Sequence, residues 1–169
     1  MRRHSLARIL LWILGTGLAA GASAAEPGQV APAFALPTAS GDIVTLEKLR
    51  GKVVYVDFWA SWCAPCRRSF PWMNEMQQKY GPRGFTIVAI NVDKKRVDAE
   101  RFLAQIPAHF TVVYDEAGVT PNAYGVAGMP SSYLIDARGT VTFVERGFLD
   151  EHKAGLEVRV KALLAATKN

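Results

Sequence analysis

The stretch KVVYVDFW, residues 52–59, restricts this chain more than any other, because the residues after it follow a different period. It is a nearly continuous apolar run, rich in valine and aromatic side chains and bounded by Gly51. Such a run reads as a strand covered on both faces, the situation of a sheet layered between helices. From Cys63 onward Phe70, Met73, Met76 and Tyr80 recur at three- and four-residue spacing, with Arg67, Arg68, Asn74, Gln77 and Lys79 between them. That spacing predicts a helix over 63–80, ended by Gly81-Pro82, and a second apolar run at 85–92 completes a βαβ unit. Pro71 lies inside the helix, removes one backbone hydrogen bond and predicts a kink.

The remaining pattern fills in an α/β fold. Residues 34–36 and 43–46 flank Ser40-Gly41-Asp42 and read as an N-terminal hairpin. An inserted helix is expected at 97–106, a short strand at 111–114 and a helical turn at 120–124. A second hairpin, 132–135 with 141–146, turns on Asp136-Ala137-Arg138-Gly139 and closes the sheet. A final amphipathic helix over 150–166 covers one face through Leu156, Val160, Leu163 and Leu164. The cysteines then fall at the carboxyl end of a central strand, where open α/β sheets carry their sites.

The first 25 residues have the features of an export signal. The basic MRRHSLAR precedes the apolar ILLWILGTGLAA, and Ala22-Ser23-Ala24 gives an A-x-A cleavage pattern. The run is short and glycine-containing for a membrane span, and an uncleaved anchor is the alternative. Residues 26–169 are then one domain. The formal charge of +5 does not point to nucleic acid: Arg2, Arg3 and Arg8 lie in the signal, and without them 17 basic residues face 15 acidic ones. An exported chain works where disulfides persist.

Only two cysteines are present, Cys63 and Cys66, separated by Ala64 and Pro65. A structural staple gains most by closing a long loop, and this one is very short. An all-thiolate zinc site needs more cysteines, and His4, His109 and His152 lack ligand spacing. Haem attachment wants His after the second Cys, where this chain has Arg67. Cu(I) bound by the two thiolates, with the Met129 thioether nearby, stays open as a second reading. The first reading is a dithiol/disulfide couple. Pro65 suits the first turn of the helix, which puts Cys63 at its N-terminus. Unpaired amides and the helix dipole there favour a thiolate, so Cys63 is expected to attack. Cys66, one turn further in, is expected to be more buried and to resolve the mixed disulfide.

Asp57 stands in the middle of the buried strand, where burial raises a carboxyl pKa and suits it to take the proton from Cys66. A purely local hydrogen-bonding role is the other reading. Met129-Pro130 lies between the glycine-containing YGVAG and the strand-like SSYLID, and its backbone could meet an extended chain. Trp59 reads as core. Trp62 reads as part of a docking patch with Ala64, Pro65, Gly128 and Met129 that suits a protein substrate.

Three segments carry a resemblance. GKVVYVDFWASWCAPCRRSFP at 51–71, FTIVAINVD at 85–93 and YGVAGMPSSYLIDARGTV at 124–141 resemble the thioredoxin superfamily, and within it the exported TlpA/ResA-like thiol-disulfide oxidoreductases. The resemblance implies the thioredoxin fold, Cys63 as nucleophile, Cys66 as resolving thiol, Asp57 as buried acid and Pro130 as a cis-proline beside them. It also implies no cofactor beyond the cysteine couple, a reductase acting on protein disulfides or thiols, a membrane-bound electron donor, a periplasmic location and a monomer. An oxidase or isomerase is the alternative direction. Three departures stand out. Ser69 occupies a position where such relatives commonly have Glu, the run 85–92 lacks the Lys found near the buried Asp of thioredoxin, and Ser131 replaces the acid that cytochrome-c-maturation relatives often carry after the cis-proline. Without a nearby Lys the Asp57 pKa is expected to be higher still.

Overall fold

The structure is a computed structural model and describes residues 25–167. The export segment expected at 1–25 lies, apart from Ala25, outside the described residues. Ala25 itself is buried, with its N–H donating to the Tyr124 carbonyl at 3.2 Å. Among the described residues no helix is long and apolar enough to cross a membrane.

The elements follow the expected order. A small antiparallel hairpin, β1 (Ala35–Pro37) and β2 (Ile43–Thr45), stands as its own sheet. The main sheet contains β3 (Val53–Trp59), β4 (Phe85–Asn91), β5 (Thr111–Tyr114), β6 (Ser131–Ile135) and β7 (Val141–Arg146). Its order is β5-β4-β3-β6-β7, so β3 is central, parallel to β4 and antiparallel to β6. The helices are α1 (Ala64–Tyr80), α2 (Arg96–Gln105), α3 (Val119–Tyr124) and α4 (Lys153–Ala166). The final helix is preceded by a 3-10 turn, Asp150–His152, rather than being α-helical from Asp150. Helix α1 runs without interruption past Pro71, whose exposed position lets it lose one hydrogen bond without opening the core.

Every residue of β3 is buried, as its unbroken apolar pattern requires. Side chains alternate across a strand, and β3 feeds two separate cores. Val53, Tyr55 and Trp59 enter the layer holding both cysteines, Phe70 and Leu156. Val54, Val56 and Phe58 enter the opposite layer with Phe34, Tyr124 and Tyr133. In α4, Leu156, Val160 and Leu164 are buried while Leu163 packs partly covered at the margin.

The β6–β7 turn depends on one glycine. Gly139 donates its N–H to the Asp136 carbonyl at 2.9 Å with φ +84°, a left-handed conformation that side chains resist. A Cβ there would also meet the end of the Arg50 side chain, which is exposed and free to move aside. Gly139→Ala should therefore lower stability by about 1–2 kcal/mol through the backbone alone, read as a drop of several degrees in the unfolding midpoint.

Candidate active site

Where β3 ends, the chain turns sharply: the Cys63 N–H donates to the Ala60 carbonyl at 3.1 Å and the helix α1 begins at once. Cys63 is the N-cap residue, in extended backbone conformation, and its Sγ accepts the Cys66 N–H at 3.2 Å. Pro65 occupies the first turn, where its missing N–H costs nothing. The two cysteines form a disulfide, with Cα atoms 5.3 Å apart. Both are covered in this state: Cys66 is 0% exposed and Cys63 only 3%. The expected difference in burial is thus small, and Met129 packs against the core cluster that holds both cysteines. Ser69, where a Glu is common in relatives, is buried and donates its hydroxyl to the Cys66 carbonyl at 3.0 Å.

Around the disulfide the surface is mixed. Trp62 is 71% exposed, an unusual state for so large an apolar side chain. Ala64 and Gly128 are exposed, Pro65 and Met129 half-buried and Pro130 buried. The Met129–Pro130 bond is cis. The segment is held by the Ser131 hydroxyl donating to the Gly128 carbonyl at 2.7 Å and by the Gly147 N–H donating to the Pro130 carbonyl at 2.8 Å. Trp59 lies wholly in the core against Phe70 and Phe102, with centroids 4.9 and 4.8 Å away.

Asp57 lies on the same face of β3 as Tyr55 and Trp59 and so faces the layer of the cysteines. It is 1% exposed. The Ser132 hydroxyl donates to its Oδ1 at 2.6 Å, across the β3–β6 pairing, while Oδ2 is buried without a partner. Burial raises its pKa from 3.8 to about 7, and the Ser132 hydrogen bond only partly opposes this.

Other residues of the site were not anticipated from the sequence. Asp93, just past β4, is buried and holds the loop before Cys63 from below: its carboxylate accepts the Ser61 N–H at 2.9 Å, the Ser61 hydroxyl at 3.0 Å and the Asn91 amide at 2.8 Å. The available signal was a carboxylate at the carboxyl end of the strand beside β3. Ser132 had no local signal, since its partner lies 75 residues away.

The central strand, the cysteine pair capping its following helix and the cis-proline segment define a thiol-disulfide oxidoreductase of the thioredoxin superfamily, and similarity to known proteins agrees. The sequence profile described as Redoxin matches residues 26–159, and the chain belongs to that family. It is 34% identical over 138 residues to the thiol-disulfide oxidoreductase ResA of Bacillus thuringiensis subsp. konkukian (strain 97-27), covering 82% of this chain and 79% of that one. It is 31% identical over 153 residues to ResA of Bacillus subtilis (strain 168), covering 88% and 86%. A crystal structure from Chlorobium tepidum, assigned as a thiol:disulfide interchange protein DsbE, superposes with a TM-score of 0.80 at 54% identity, over 82% of this chain and 98% of that one.

Proposed function

We propose that the chain is exported to the periplasm and reduces disulfides of other proteins there, drawing electrons from a membrane-bound donor. In this reading Cys63 attacks a substrate disulfide, Cys66 resolves the mixed disulfide and Asp57 accepts the Cys66 proton. No cofactor beyond the cysteine pair takes part. The observation that carries the reading is the N-cap position of Cys63, whose sulfur already accepts a helix N–H at 3.2 Å. An anionic sulfur there is favoured by that donor and by the helix dipole. The basic n-region, the apolar run and the A-x-A pattern support export. Direction is tested by the reduction potential of the Cys63–Cys66 couple. A value near about −270 mV supports a reductase, and one near about −120 mV would reverse the direction to oxidase.

Trp62, Ala64, Pro65, Met129 and Pro130 form the substrate-docking patch in this reading. The exposed Trp62 is its anchor. Trp62→Ala should leave the unfolding free energy within about 0.5 kcal/mol, since the side chain lies outside the core. It should raise KM for a protein disulfide by about 30-fold, the effect of removing an aromatic anchor worth about 2 kcal/mol.

A further inference from the structure

Asp57 must discard any proton it accepts before it can act again, and the sheet register restricts where that proton can go. On the β4 side Asp57 pairs with Ala89, which cannot hold a proton. On the other side it pairs with Ser132 of β6, and Ser132 pairs in turn with Glu145 of β7. Residues in register across adjacent strands share a face, so Asp57, Ser132 and Glu145 form one polar row across three strands. Tyr55, two residues before Asp57, lies on the same face. Its phenol is pushed far up by burial first and by the charge of Asp57 next, is lowered by a hydrogen bond with Ser132, and is raised again by Glu145.

The row ends at water. Glu145 Oε1 lies 2.8 Å from His152 Nδ1, with side chains 11% and 42% exposed respectively. His152 lines an open cleft of about 270 Å³ with Glu145, Glu151, Leu156 and Arg159. The charged groups facing this end are Glu151, 3.9 Å from His152 Nε2, and Arg159, which stacks over the Phe143 ring at 4.1 Å. Imidazole is the side chain suited to passing protons near neutral pH, and hydroxyls both donate and accept.

We propose that the proton taken up by Asp57 leaves the core along this row, through the Ser132 hydroxyl and the Glu145 carboxylate to His152, which releases it to solvent. The proposal rests on the reading of Asp57 as proton acceptor. In the resolving step the Cys66 S–H bond breaks and its proton forms an O–H bond on Asp57. The Cys66 thiolate then attacks Cys63 of the mixed disulfide, forming the Cys63–Cys66 bond and expelling a substrate thiolate. The substrate disulfide gains two electrons and the cysteine pair loses them. The Asp57 proton then moves outward and restores the carboxylate. Glu145 and His152 are positioning residues in this scheme, since neither touches the reacting sulfurs.

The test mixes reduced protein with dithiobis(nitrobenzoate), whose aromatic thiolates stay ionised, in weak buffer above the Asp57 midpoint of about 7. The second aromatic thiolate reports resolution, and a pH indicator reports proton release. In the wild type the two should coincide. In both His152→Ala and Glu145→Gln, proton release should lag resolution several-fold, and added imidazole should close the lag in His152→Ala. A merely structural role would give neither the lag nor the rescue. Coincident signals in either variant overturn the route. Asp57→Asn separates the two ideas. If it fails to slow the second thiolate, the acceptor reading itself is wrong. If it slows that step while the other two variants show no lag, only the route fails.

Discussion

Replacing Cys63 by serine should lower disulfide exchange by about 10³-fold or more, because the thiol that remains, Cys66, is fully buried and lies inside the helix rather than at its N-cap. The loss should not come from unfolding. The disulfide spans a sequence separation of only three. A loop of about four residues contributes about 2 kcal/mol in the chain-entropy account, and most of the fold's stability lies in the two cores. The companion variant, Cys66→Ala, should retain the first attack and accumulate substrate proteins bound to Cys63. Insulin-disulfide reduction measures the first effect, and non-reducing gels of whole-cell extract measure the second. Full exchange activity in Cys63→Ser would remove the assignment of the nucleophile, and an absence of trapped proteins in Cys66→Ala would count against a protein substrate.

Asp57→Asn should stabilise the oxidised protein and slow it, with both effects depending on pH. The Asp57 carboxyl titrates at 3.8 when exposed and at about 7 in the fold. Between those values the folded protein holds a proton that the unfolded chain has released. Unfolding free energy from this group therefore falls as pH rises from 3.8 to about 7 and is level on either side. The total loss is about 4 kcal/mol. Asparagine never ionises, so the variant should match the wild type at about pH 4 and exceed it by up to about 4 kcal/mol at about pH 8. The amide must find partners where Oδ2 has none, which reduces the gain by about 1–3 kcal/mol. For the reaction the sign is opposite. In the proposed mechanism the resolving step uses the ionised carboxylate, so its rate in the wild type should rise with pH through about 7. Asparagine should abolish that limb and lower the step by about 10²-fold. Denaturant unfolding across pH, combined with single-turnover resolution, checks both. Parallel stability curves for the two proteins would mean that the buried carboxyl is not charged against the fold as described.

Much of the fold was legible because its signals are local. The strand at Val53–Trp59 follows from continuous apolarity, and α1 from the spacing of Phe70, Met73, Met76 and Tyr80. The strand Thr111–Tyr114 and the Gly139 turn needed only neighbouring residues. The 3-10 turn at Asp150–His152 was not legible. His152 there bonds Glu145 of another element, and no periodicity records that contact.

The site divides in the same way. Sequence alone determined that two cysteines lie one turn apart at the start of a helix, after a strand buried on both faces with a carboxylate inside it. Those are properties of short segments, set by spacing and by the preferences of Pro65 and the apolar residues. Only the tertiary structure decided that Cys63 is covered almost as fully as Cys66, that Asp93 holds the loop through Ser61, and that Asp57 meets Ser132 rather than a cation. The last two depend on strand register between segments far apart in the chain, and a one-residue slip would turn such side chains to the opposite face.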